Sequence, residues 1–112
     1  MLMEELLKNA EEFLSSGEDN IRKNRYNAAV SDFFKTIVIL CDYLIYRETK
    51  IMPKNHNNRF NLLERYFKEI YEKVSDLFQT YTNSYNLRLG KEDAIKLKEY
   101  ANELKGFVVN KG

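Results

Sequence analysis

The stretch Phe60-NLLERYFKEIYEKVSDLFQT-Tyr81 decides the fold, because its apolar residues recur at alternating steps of three and four. These seam residues are Phe60, Leu63, Phe67, Ile70, Val74, Leu77 and Tyr81. The spacing keeps one face of an α-helix apolar over about three heptads, which is the pattern of a helix packed in a bundle. We therefore expect one long third helix, with Asn58 as its N-cap and Gly90 as its C-terminal stop.

The second predicted helix, from about Tyr26 to Lys50, is apolar on more than one side. Such a helix lies at the centre of a bundle or faces a second subunit. It should end shortly before Pro53, because the residue preceding a proline is disfavoured in helical geometry. The last predicted helix covers about Glu92 to Lys105, and Gly106 is expected to end it ahead of a short apolar tail at 107–109.

The first predicted helix spans about Met3 to Lys23 and admits two interpretations. Ser15 with Glu18 matches a capping box, which would start a new helix at that point. Alternatively the helix is continuous, and Gly17 permits a close approach of a second helix at a cost of about 1 kcal/mol against Ala. We favour the continuous helix. The chain, residues 1–112, is thus predicted to be one all-α domain, an antiparallel up-and-down bundle of four helices, or five if the first splits.

Composition argues against several classes of protein. The 18 Lys and Arg residues nearly balance the 17 Asp and Glu residues, unlike in a protein that coats DNA or lies on a membrane surface. The single cysteine, Cys41, cannot form an internal disulfide, and its apolar neighbours favour a buried hydrophobic role. There is no signal-peptide pattern at the N-terminus and no apolar run long enough for a bilayer, so we expect a cytoplasmic protein without membrane association.

The only histidine, His56, is the first candidate for a functional residue. It lies in a polar loop ahead of a helix, where it suits a general acid or base or a phosphate contact. An exposed loop residue without function is the simpler interpretation. Because no ligand cluster surrounds it, neither a metal nor a cofactor is predicted. The same region is basic, which is typical of a phosphate site or of a solvated charged face; the cations are Lys50, Lys54, Arg59, Arg65 and Lys68.

Tyr81, Tyr85 and Arg88 are spaced at i, i+4 and i+7, so they can share one face of a helix. Two phenols and a guanidinium on one face can stack a base and hold a phosphate. Tyrosines at seam spacing more commonly pack in the core with the hydroxyl at its edge, and this alternative stays open.

Four sequence features occur in an order that is typical of one family. They are, along the chain, the segment Arg25-Tyr-Asn-Ala-Ala29, the histidine His56 ahead of Leu62 and Leu63, the segment Tyr85-Asn-Leu-Arg88, and the alanines Ala94 and Ala101 of the last helix. Over about residues 4–108 the chain therefore resembles the HEPN domains, small prokaryotic helical bundles named for nucleotide binding.

The resemblance implies a bundle that commonly forms a homodimer and has one of two roles. Some members are metal-independent ribonucleases with a site at the dimer interface, and they carry an Arg, a polar residue and a His about four to six residues after the Arg. Others lack this motif and bind partners, often beside a small nucleotidyltransferase. In this chain eight residues separate Arg47 from His56, and no His follows Arg88, so no catalytic residue is carried over.

We therefore expect a non-catalytic homodimer that binds a nucleotide, an RNA or a nucleotidyltransferase partner, in an arrangement similar to a toxin–antitoxin pair. Two alternatives remain at this stage. One is a metal-independent ribonuclease that uses His56 and Arg88 across a dimer, and the other is a structural interaction module whose tyrosines only pack. The candidate binding residues are His56, Arg59, Tyr81, Tyr85 and Arg88.

Overall fold

The computed structural model describes residues 1–111, which form five α-helices. The helices are α1 (Leu2–Arg22), α2 (Tyr26–Thr49), α3 (His56–Tyr66), α4 (Lys68–Asn83) and α5 (Lys91–Lys111). The prediction of an all-α bundle is confirmed. Within residues 1–111 no helix is both long enough and apolar enough to cross a membrane.

Helix α2 lies at the centre of the bundle, because it packs against each of the other four described helices. Its buried apolar residues occupy more than one side, as the sequence predicted. Those residues are Ala29, Val30, Phe33, Phe34, Ile37, Leu40, Cys41, Leu44 and Ile45. Most of the core is therefore built around this single helix, and the other helices cover it.

Helix α1 is continuous, which confirms the favoured interpretation of the first helix. A Cβ built on Gly17 would lie 2.5 Å from Cε1 of Phe33, so α1 and α2 approach too closely there for any side chain. On either side of this contact, Ser16 Oγ and Asn20 Nδ2 each donate a hydrogen bond to Asp32 Oδ2 at 2.8 Å. The glycine thus serves helix packing, and the capping-box alternative is wrong.

The prediction of a single long third helix is wrong, because the helix is interrupted at Phe67. Phe67 has φ −143° and ψ 64°, outside helical geometry, although its N–H still donates to the Leu63 carbonyl oxygen at 2.7 Å. Neither proline nor glycine stands there, so the bend carries no local mark in the sequence. The predicted seam survives the bend, since Leu63, Val74 and Leu77 are all buried. The fifth described helix comes from this break rather than from a split at α1.

The predicted start of the third helix is also wrong. Asn55 is the N-cap, and its Oδ1 accepts a hydrogen bond from the Asn58 N–H at 2.8 Å. The cap lies three residues earlier than expected because Asn55, rather than Asn58, has the extended backbone that a cap requires. As a result His56 is the first residue of α3 and not a residue of the preceding loop.

Two predicted helix ends differ from the structure. Helix α4 stops at Asn83, so Tyr85 and Arg88 lie beyond it and do not extend its face. Helix α5 continues through Gly106 to Lys111, and the expected apolar tail is its last turns. The helix continues because Val108 is buried in the core, so tertiary packing outweighs the helix-breaking tendency of glycine.

Candidate functional site

Seven aromatic side chains from α2, α3, α4 and the segment after α4 form a connected group, which we call the aromatic cluster. Its members are Phe34, His56, Phe60, Tyr71, Phe78, Tyr81 and Tyr85. Phe34 is the buried member of the cluster. Its ring stacks on that of Tyr81 with centroids 4.6 Å apart and an interplanar angle of 13°. Because His56 and Tyr85 are both exposed, the cluster reaches the surface at both ends.

A buried ion pair lies beside the cluster. Arg59 Nε donates to Asp42 Oδ1 at 2.6 Å, and Arg59 Nη2 donates to Asp42 Oδ2 at 3.0 Å. Both residues are buried, at 8% and 9% exposure respectively. This bidentate geometry is the strongest form of an arginine–carboxylate contact. Arg59 therefore does not belong to a solvated basic face, because its charge is neutralised inside the protein.

The third arm of the Arg59 guanidinium reaches His56. Arg59 Nη1 lies 2.9 Å from His56 Nδ1. A guanidinium has only donors, so Nδ1 of His56 accepts this hydrogen bond and carries no proton. Partial burial, followed by the positive charge of Arg59, lowers the pKa of His56 below its ordinary value, and the Asp42 carboxylate opposes this shift. His56 is thus held as a neutral imidazole with its proton on Nε2.

The two tyrosines of the predicted site form a pair. The hydroxyl oxygens of Tyr81 and Tyr85 are 2.8 Å apart, and their rings meet edge to face with centroids 5.6 Å apart. The hydrogen bond with Tyr85, together with partial burial, raises the pKa of Tyr81 to about 12. Tyr81 is anchored in the cluster, whereas Tyr85 is 73% exposed. The Tyr81 phenol therefore stays protonated at neutral pH.

The segment that carries Tyr85 is held in place by one side chain of α2. Asn27 Nδ2 donates to the carbonyl oxygens of Ser84 at 2.8 Å and Leu87 at 2.7 Å, and Asn27 Oδ1 accepts from the Leu89 N–H at 2.9 Å. We call these three bonds the Asn27 clamp. They satisfy backbone groups that no helix would satisfy, and they fix the path of the chain between α4 and α5.

Four of the five predicted site residues therefore lie in one region. His56 contacts Arg59 directly and is joined to Tyr81 and Tyr85 through the shared rings of the cluster. Arg88 is exposed, and within the described chain its side chain forms no hydrogen bond or ion pair.

Two polar residues of this region were not predicted from the sequence. The sequence does indicate a role for Asp42, because an acid between apolar residues of a central helix needs a buried partner. Asn27 carries no such signal, since an asparagine near a helix start is common.

A separate cavity of about 600 Å³ lies where α4 begins, opposite the end of α5. Its apolar lining includes Phe67, Ile70, Tyr100 and Leu104. None of the predicted site residues lines it. Within residues 1–111 no group of three or more His, Cys, Asp or Glu side chains is placed to hold a metal ion.

A comparison with protein-family models places the whole bundle. The model described as the HEPN domain matches residues 3–111. The chain belongs to the HEPN family. Neither the curated proteins nor the solved structures give a significant match. The resemblance inferred from the sequence motifs is therefore confirmed at the level of the family.

Proposed function

We propose that this HEPN domain is a non-catalytic binding protein whose ligand is a nucleotide held at the aromatic cluster. The observation that carries the proposal is that His56 and Tyr85, the two exposed ends of the cluster, are joined through its partly buried rings. Aromatic rings that reach the surface can stack a base, at about 1–3 kcal/mol per base. Arg88, three residues after Tyr85 in the chain, stays a candidate binding residue and is not assigned to the phosphate.

The alternative of a metal-independent ribonuclease is less well supported by the same geometry. General acid–base chemistry on RNA needs a histidine that exchanges protons near neutral pH and a cation that is free to stabilise the developing charge. The pKa of His56 is lowered, and the cation nearest to it, Arg59, is engaged by Asp42. We therefore assign binding rather than cleavage to His56.

The partners of the protein are a second part of the proposal. We infer a cytoplasmic homodimer that acts beside a small nucleotidyltransferase, in an arrangement similar to a toxin–antitoxin pair. Membership of the HEPN family supports the homodimer and the nucleotidyltransferase partner. The unpaired thiol of Cys41 supports the cytoplasm, because free thiols are typical of a reducing compartment. Light scattering should report a dimer at high micromolar concentration, and a monomer at that concentration would contradict this part.

Calorimetric titration tests the ligand. We expect ATP, GTP or another nucleotide to release heat with the native chain and to bind more weakly to Tyr85→Ala. The matched control is Tyr66→Ala, because Tyr66 is also exposed but lies at the far end of α3, outside the cluster. An absence of heat with every nucleotide, together with an unchanged melting temperature, would exclude the proposed site.

A further inference from the structure

The positive charge of Arg59, beside the aromatic cluster, is neutralised by the buried Asp42 carboxylate, and this limits which ligands the cluster can recognise. Arg59 is the cation closest to the exposed imidazole, and Asp42 binds two of its nitrogen atoms. The third nitrogen is directed at His56. The part of the cluster around His56 therefore offers a ligand a hydrogen-bond donor and aromatic faces, and the charge of Arg59 there is already paired.

We propose that the cluster recognises the base of its ligand rather than the phosphate, and that Asp42 and Arg59 are positioning residues that hold His56 as a neutral N–H donor. This inference rests on the proposed nucleotide site and names the part of the ligand that the site reads. The ligand class is a nucleobase or nucleoside with an exposed acceptor, such as a ring carbonyl or ring nitrogen.

The tautomer of His56 is the first step of the argument. Because Arg59 can only donate, His56 Nδ1 accepts, and the proton of the neutral ring lies on Nε2. The ring is held by Phe60, which it stacks at 24° and 6.2 Å between centroids, and by Phe78 at 5.3 Å. With its inner nitrogen engaged and its ring packed, the imidazole has one polar atom left for a ligand, the Nε2–H donor.

The tyrosine pair supplies a second neutral donor. In a pair of hydroxyls one O–H donates to the other, and the proton of the accepting hydroxyl remains available. The Tyr81–Tyr85 contact at 2.8 Å therefore leaves one O–H for a ligand. Neutral donors next to aromatic faces suit the polar edge of a base, whereas a phosphate is bound most strongly by guanidinium or ammonium groups.

Comparing ligands that share a base but differ in phosphate tests this inference. We expect a nucleoside to bind the native chain within about threefold of its triphosphate, and added salt to weaken both only slightly, because few charges interact. If only the triphosphate binds, and its affinity falls steeply with salt, the proposal of base recognition is wrong, whereas the proposed nucleotide site still stands. If neither ligand binds, the proposed function itself fails, so the two failures are distinguishable.

Substitutions of His56 refine the test. His56→Gln keeps a neutral N–H donor at a similar reach and should retain nucleoside affinity within about threefold. His56→Ala removes the donor and should lose about fivefold to tenfold, the equivalent of one hydrogen bond. If His56→Lys strengthened nucleotide binding but not nucleoside binding, the phosphate would be the group beside residue 56 and the inference would be wrong.

The positioning role has its own spectroscopic readout. Because the chain has a single histidine, nitrogen NMR reports the tautomer of His56 without ambiguity. The native protein should show the proton on Nε2 at neutral pH, and Arg59→Lys should shift the tautomer population even where the fold is retained. A native spectrum with the proton on Nδ1, or a protonated ring at neutral pH, would contradict the proposal.

Discussion

Arg59 of α3 and Asp42 of α2 form a bidentate ion pair, with Nε–Oδ1 at 2.6 Å and Nη2–Oδ2 at 3.0 Å, in the buried contact between the two helices. Two charges removed from water need each other, because an isolated buried charge is strongly destabilising. The pair therefore joins α3 to the central helix and at the same time orients the exposed histidine of the proposed site.

Breaking this pair should destabilise the protein severely. Asp42→Asn leaves the Arg59 guanidinium buried without a carboxylate, and we expect the free energy of unfolding to fall by about 3–5 kcal/mol. Urea denaturation followed by circular dichroism measures the change. The double variant Asp42→Leu with Arg59→Met should recover much of that loss, since apolar side chains of similar volume often replace a buried pair without cost. If Asp42→Asn were as stable as the native chain, water would have to reach the ion pair.

Gly17 should not tolerate a side chain. Gly17→Ala places a methyl group against the fully buried ring of Phe33, and the overpacking should cost about 1–3 kcal/mol despite the better helix propensity of Ala. Thermal unfolding of the two proteins measures the difference.

The matched control for that substitution is Gly106→Ala. Among the described residues nothing lies within 4 Å of a Cβ at Gly106, which is also inside a helix, so this change should stabilise the protein by about 1 kcal/mol. Equal effects at both glycines would argue against the close approach of α1 and α2.

The stability of the protein should fall as the pH drops below neutrality. The pKa of His56 in the folded state is lower than its ordinary value of 6.5, so the unfolded chain binds the proton more readily. The stabilising contribution is therefore fully present above about pH 6.5 and is lost as the pH falls through the lower, folded-state pKa. Urea unfolding at several pH values between about 7.5 and 5 measures it, and His56→Gln should flatten the profile in that window. An unchanged slope in His56→Gln would assign the effect to carboxylates.

Removing the Asn27 clamp should loosen the segment between α4 and α5. Asn27→Ala deletes all three hydrogen bonds, and we expect a loss of about 1–3 kcal/mol with faster amide exchange at Leu89. The control Asn27→Asp keeps the acceptor for Leu89 but loses both donors, so Leu89 should remain protected while stability still falls. Because Tyr85 lies on this segment, nucleotide affinity should fall in Asn27→Ala as well. Full protection of Leu89 in Asn27→Ala would mean that the segment is held by other contacts.

The periodicity of the chain determined the parts of the fold that depend on local spacing. Apolar steps of three and four placed Leu63, Val74 and Leu77 in the core, and the broad apolar surface of the second helix marked it as central. Such predictions succeed because the residues on one face of a helix follow from its pitch alone. The family motifs are likewise local patterns. They were enough to indicate the HEPN domain, although they contain only some of the residues that form the candidate site.

Only the tertiary structure decided what the polar residues do. The partners Arg59 and Asp42 are 17 residues apart, and the ends of the Asn27 clamp are about 60 apart, so their contacts exist only after α2 has packed against α3 and the α4–α5 segment. The bend at Phe67 and the continuation of α5 through Gly106 also run against local preference. The physical reason is that burial of side chains such as Val108 contributes more free energy than the helix propensity of one residue. The sequence alone thus determined which faces are apolar, and packing decided which charges and hydrogen bonds meet.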